Sequence, residues 1–301
     1  MIRRRTLAAI VLVPAIAAVA FGWLTRPDPL PASAILKHEA DLRSGETLYR
    51  AGSCLACHRP PQGASGLDPA LPSGGRPFPT PVGVFYPQNI TPDAETGIGR
   101  WSEADFVNAM ARGLAPDGRH YFPAFPYMSY RAMRLSDLLD LRAYLMSLVP
   151  VSSPTREADV PLVALARRAV GLWKRLAFRQ RPSSPGTAGS PSWQRGAYLV
   201  NAPGHCGECH TPKNWLMIED LGRHLAGGPH PAGEGKVPSL HGLLARKKYA
   251  GVDDLVLALQ NGETLGYKNL SSGGMAAIQE SLSHVPEAEL RAMAEYLLSL
   301  E

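Results

Sequence analysis

All four cysteines of the chain fall in two short stretches, Cys54-Leu55-Ala56-Cys57-His58 and Cys206-Gly207-Glu208-Cys209-His210. Two thiols separated by two residues and followed at once by a histidine have the spacing that fixes a porphyrin. The thiols add to its two vinyl groups and the histidine falls beneath the iron. The pattern therefore implies two covalently bound c-type haems, tethered through Cys54, Cys57, Cys206 and Cys209, with His58 and His210 as proximal iron ligands. Two other chemistries use the same thiols: a thioredoxin-like dithiol, or a zinc site closed by two pairs. The histidine after both pairs and the similar surroundings of the two copies favour the haems.

The sixth ligand decides whether such an iron transfers electrons or performs catalysis. A methionine thioether raises the potential and leaves substrate no place at the metal. For the second haem Met275 is the candidate, because it ends the Gly-rich stretch Ser271-Ser272-Gly273-Gly274 with a helix behind it. Met217 lies close to the attachment stretch, and Met293 reads as helix core. His224, His230, His241 and His284 compete with Met275. For the first haem the residues leave Met128 and Met133 both open, with His120 weaker, since methionines also serve as gap-fillers in cores.

These side chains need elements to hold them. A short helix over 41–51, with Gly45, Leu48 and Tyr49 on one face, leads into the first attachment stretch. Ser102 and Asp105 read as a capping box opening a helix that stops at Gly113, and Ser136 reads as the cap of a helix over 137–148. In the second half Arg195 to Val200 lead into the second stretch, Val252 to Gln260 form a helix, and Pro286 starts a terminal one. Its Ala294-Glu295-Tyr296-Leu297-Leu298-Ser299-Leu300 matches Arg142-Ala143-Tyr144-Leu145-Met146-Ser147-Leu148, which points to an internal duplication. With 29 glycines and 28 prolines, the rest is largely loop.

Outside the two halves the chain changes character. Arg3-Arg4-Arg5 precede an uncharged run over 7–24, ~27 Å long as a helix, which predicts a membrane anchor with the following chain on the periplasmic side. Ala18-Val19-Ala20 offers the competing reading of a cleaved signal peptide. Between the halves, 162–181 carries Arg167, Arg168, Lys174, Arg175, Arg179 and Arg181 among apolar residues, with no acid. An interdomain strap is favoured over a membrane-surface helix or a docking face for an acidic partner. Residues 183–192 read as a Pro/Ser/Gly linker. The resulting division is an anchor or signal segment over 1–26, haem domains over 27–152 and 193–301, and a linker with a basic amphipathic helix over 153–192. A formal charge of +5, with basic residues that are not interleaved with stacking aromatics in any nucleic-acid motif, gives no case for nucleic acid.

Three segments carry a family resemblance: Asn89-Ile90-Thr91-Pro92-Asp93 with Thr96 to Ser102, Pro123-Ala124-Phe125-Pro126-Tyr127, and Gly204-His205 through Thr211-Pro212. Over nearly its whole length the chain resembles the membrane-associated dihaem cytochromes c, relatives of the cytochrome subunits of periplasmic alcohol and gluconate dehydrogenases. The resemblance implies an all-α fold of two tandem class I cytochrome c-like domains behind a transmembrane helix. It also implies His/Met ligation of both haems, by His58 with Met133 and by His210 with Met275. The second half departs from the pattern, with Pro238-Ser239-Leu240-His241 in place of the Asn-Ile-Thr-Pro segment. The function implied is electron carriage from a periplasmic dehydrogenase to a cytochrome, quinone or oxidase. The alternative is a dihaem enzyme, a peroxidase or thiosulfate dehydrogenase-like protein, for which no fifth cysteine is present.

Overall fold

A computed structural model of the protein describes residues 2–180, 189–231, 235–262 and 275–301, with side chains from residue 10 onward. Helix α1 (Ile2–Leu24) is followed by α2 (Leu42–Ala51), the single turn α3 (Cys54–His58) and a ladder of β1 (Phe78–Thr80) and β2 (Gly83–Phe85). Helices α4 (Glu103–Arg112), α5 (Tyr127–Tyr130) and α6 (Leu135–Ser147) complete the first half. Helix α7 (Val163–Ala177) leads to α8 (Pro191–Asn201), the turn α9 (Gly207–His210), the pair β3 (Gly228–Pro229) and β4 (Lys236–Val237), and α10 (Val252–Asn261), α11 (Met275–Leu282) and α12 (Glu287–Leu298). The two ladders are antiparallel and only two or three residues long, so the architecture is mostly helical.

Each half is built on one helix crossing. Asp41 starts α2 by accepting from the Arg43 and Ser44 N–H groups, and the helix lays Gly45, Leu48 and Tyr49 against α6. Ser190 starts α8 in the same way through Trp193, and α8 packs on α12. Both crossings need a glycine. A Cβ on Gly45 would stand 2.2 Å from the Asp140 carbonyl oxygen, and one on Gly196 would stand 1.8 Å from that of Ala292. Around the first crossing gather Phe106, Val107, Leu138, Leu141 and Leu145. Around the second gather Leu255, Val256, Leu290, Met293 and Leu297. Each fully buried side chain of this size stabilises the fold by about 1.5–3 kcal/mol. Ala202 joins the first cluster and Ala51 the second, so the halves share apolar contacts.

The expected capping box is present: Ser102 accepts from the Asp105 N–H, Asp105 accepts from the Ser102 N–H, and α4 ends at a left-handed Gly113. Ser136 is not a cap. Helix α6 begins at Leu135 behind Arg134, without a side-chain cap, and the Ser136 hydroxyl donates to Asp137 instead.

The fold class needs one larger correction, because among the described residues no helix is long and apolar enough to cross a membrane. The transmembrane segment expected at 7–24 is therefore overturned. Pro14 removes a backbone hydrogen bond inside α1. The last turn of α1 docks on the protein. Thr25 is buried, and Arg168 donates to the Gly22 carbonyl at 3.0 Å. Arg175 reaches Leu24 O, and the His120 Nε2–H donates to Thr25 O at 2.9 Å.

Helix α7 lies between the two halves, and its Lys174 is buried. Lys174 Nζ donates to Arg112 O at 2.6 Å, Gly113 O at 2.7 Å and His120 Nδ1 at 3.2 Å, filling all three donor positions at the C-terminus of α4. Arg167 pairs with Glu157 and lies over the Phe122 ring. Trp173 Nε1 donates across to Leu216 O at 2.7 Å. Arg181, 183–188 of the linker, 232–234 of the second Gly-rich loop and Ser271 to Gly274 lie outside the described residues.

Candidate haem attachment sites

In the first site α3 presents Cys54, Cys57 and His58 on one helical turn entered through Ser53. The His58 Nδ1–H donates to the Gln88 carbonyl at 2.6 Å, which leaves Nε2 as the nitrogen with a lone pair for a metal. Burial lowers the imidazole below its ordinary value, so the neutral, ligating form prevails. The Gly74 N–H donates to His58 O at 2.6 Å, and the Ile90 N–H to Pro72 O at 3.0 Å. At Gly74, with φ of 76°, a Cβ would meet the Gln88 carbonyl carbon at 2.5 Å, so the carbonyl-bearing segment lies flat on a glycine. Asn89 locks that segment, donating to Val151 O at 2.7 Å and accepting from the Thr91 N–H at 2.9 Å.

The second site repeats this frame with different side chains. The His210 Nδ1–H donates to Pro238 O at 2.8 Å, and burial lowers this histidine too. The Gly227 N–H donates to His210 O at 2.7 Å, and the Leu240 N–H to Leu225 O at 2.9 Å. Gly227, with φ of 74°, has no room for a Cβ against Ser239 N at 2.6 Å. The segment Pro238-Ser239-Leu240-His241 thus supplies the carbonyl that Gln88 supplies in the first site, without an asparagine.

Each site therefore offers two thiols and one imidazole whose Nε2 is left for iron, the donor set that a covalent haem requires. Burial pushes the Cys54 and Cys206 thiols up to about 12. Of the methionine candidates, Met133 is buried in the first cluster beside Tyr130, whereas Met128 lines a crevice between the halves. Met275 is half-buried as the first residue of α11, rather than in a loop. Met293 is core of α12, and Met217 is exposed. Several competing histidines have protein partners. His120 holds Thr25 and Lys174, His224 pairs with Asn201 at 2.6 Å, and His241 joins His224 O to Glu301 O.

The carbonyls of Gln88 and Pro238 are functional groups that side-chain chemistry does not reveal; the position of the Asn-Ile-Thr-Pro segment is the signal that could have located the first. A second unanticipated feature is a cavity of about 40 Å³ lined by Met128, Ser129, Trp173, Glu208, Lys213 and Glu219. There Lys213 Nζ pairs with Glu208 at 2.6 Å and the Ser129 hydroxyl donates to Glu208 at 3.2 Å. Glu219 Oε1 is buried without a partner among the described residues, and burial, with Glu208 near, pushes this carboxyl up to about 7.

The cytochrome c family model matches residues 42–149. A dihaem c-type cytochrome of Cereibacter sphaeroides is 36% identical over 98% of this chain and 97% of its own length. The fructose dehydrogenase cytochrome subunit of Gluconobacter japonicus is 33% identical over 91% of this chain and 54% of that subunit. The gluconate 2-dehydrogenase cytochrome c subunit of Pantoea cypripedii is 34% identical over 87% of this chain and 60% of that subunit. The chain thus spans nearly all of the first relative and little more than half of the other two. With histidines framed for iron, thiols spaced for a porphyrin and similarity end to end with a dihaem cytochrome, this chain belongs to the cytochrome c family and transfers electrons as a c-type cytochrome.

Proposed function

We propose that the chain carries two covalent haems. One is tethered by Cys54 and Cys57 and ligated by His58 and Met133; the other is tethered by Cys206 and Cys209 and ligated by His210 and Met275. Residues 27–152 and 193–301 form one haem domain each, joined by 153–192. The observation that supports this most directly is the doubled hydrogen-bond frame, His58 to Gln88 O and His210 to Pro238 O, each resting on a left-handed glycine. When bound, the haem iron supplies a one-electron couple, and a thioether opposite imidazole raises its potential. The protein's part is to hold the imidazoles in one tautomer and to keep water from the ligands. Met133 suits the second task better than Met128 because it is buried in an apolar cluster.

We assign the chain to the periplasm, where c-type haem is attached, as the carrier between a dehydrogenase and a cytochrome, quinone or oxidase. Relatives that are subunits of fructose and gluconate dehydrogenases support a dehydrogenase as donor. The test is a haem count with optical and magnetic spectra of protein matured with its haem. The expected result is two equivalents, both six-coordinate and low-spin. Met133→Ala and Met275→Ala should each turn one haem high-spin, and Met128→Ala neither. A single equivalent, or a five-coordinate resting haem in the unaltered protein, would overturn the reading.

A further inference from the structure

The corners that enter the two attachment turns meet each other. Gly52 and Ser53 precede Cys54, and Pro203, Gly204 and His205 precede Cys206. A Cβ on Gly52 would lie 3.2 Å from Pro203 O and 3.5 Å from Cys54 Sγ, so no side chain separates the corners. The His205 Nε2–H donates to the Gly52 carbonyl at 3.2 Å. In return the Ser53 hydroxyl donates to Ile278 O at 3.5 Å. Ser53 and His205 hold the same place in the two motifs, one residue before the first cysteine. Both have left-handed backbone, with φ of 48° and 41°. Non-glycine residues persist there only where their surroundings fix them, and such positions gather at functional sites. The His205 ring also stands edge-on to Tyr130, with centroids 5.6 Å apart, and burial keeps the imidazole neutral.

We propose that His205 is a positioning residue for electron transfer between the two haems, closing a path from Cys206 through its own ring and one hydrogen bond to Gly52, then along Ser53 to Cys54. This rests on the reading of two covalent haems. The step is complete in itself: one electron leaves a ferrous iron, which becomes ferric, and reaches a ferric iron, which becomes ferrous. No proton moves, since the imidazole N–H stays a donor throughout. The same seam contains a contact off this path, the Arg59–Glu280 ion pair at 2.9 Å, which separates clamping of the halves from electronic connection.

The experiment uses the full chain carrying its haems. One haem is reduced by a light pulse, and redistribution between the two is followed by transient absorption. His205→Asn accepts the left-handed backbone but falls short of Gly52; it should slow redistribution by roughly tenfold. His205→Gln, which can reach the carbonyl with an amide, should recover part of the rate, and Glu280→Gln should leave it unchanged. Haem counts and both reduction potentials are measured on the same samples. A single haem in the unaltered protein sinks the two-haem reading itself. With two haems present, a wild-type rate in His205→Asn, or equal slowing in Glu280→Gln, overturns the role of His205.

Discussion

Gln88 and Pro238 contribute only a backbone carbonyl, yet each decides what its histidine can do. By accepting from Nδ1–H they fix the tautomer and turn the lone pair of Nε2 outward. Every residue has a carbonyl, so this part of the site was not legible in the sequence, whereas the thiols and imidazoles were. Gly74 is the weak point of the arrangement. Gly74→Ala sets a Cβ into the Gln88 segment at a left-handed position, and on the proposed two-haem reading should lower the potential of the first haem while leaving the second unchanged. Separate redox titrations of the two haems check this. Glu219 supplies a pH dependence. Its carboxyl is held above its unfolded value, so between about 4.5 and about 7 the folded chain binds a proton that the unfolded chain releases. The stabilisation is present at the acid end and is lost as pH rises through that window. Denaturant midpoints across it should fall, and Glu219→Gln should flatten the slope.

Helix boundaries were readable where a local signal was unambiguous, as with Asp41, Ser102 with Asp105, Gly113 and Pro286. Ser136 misled because a serine near a helix start can satisfy its hydroxyl on the neighbouring Asp137, leaving the backbone to start at Leu135 unaided. The two glycine crossings were half legible: spacing put Gly45 on the packed face, but not that carbonyls would fill the space of a side chain. Gly196→Ala, with its Cβ 1.8 Å from Ala292 O, should cost stability at or beyond the upper end of the ~1–3 kcal/mol usual for overpacking. The midpoint of chemical unfolding measures it. In α7 composition gave the cations but not their direction, because what attracts them is the ends of other helices. Lys174→Met leaves the Arg112 carbonyl without its donor, while the Gly113 carbonyl keeps the Tyr121 N–H, at a cost of about 1–3 kcal/mol for the one left unsatisfied. A loss of stability well below that would show that water replaces the ammonium.

Across the molecule, the repeat was visible as matched sequence around the terminal helices, but the way one half sits on the other was not. That seam includes backbone at Gly52 and Pro203, a left-handed histidine and serine, and the Arg59–Glu280 ion pair, none of which has a pattern at fixed spacing. The N-terminal segment was misread for a related reason: apolar residues in a row describe a helix that shuns water, and not what the end of that helix binds. Here its last turn is held by Arg168, Arg175 and His120. The burial of the leading cysteine in each motif carries a consequence for the order of maturation. Sulfur is nucleophilic as thiolate, and burial pushes both leading thiols up to about 12, which favours the protonated form at neutral pH. In the closed chain those sulfurs are chemically dormant. On the proposed reading of covalent haems, bond formation to the porphyrin is expected before α2 docks on α6 and α8 on α12, with the cofactor seated first and the polypeptide shutting around it.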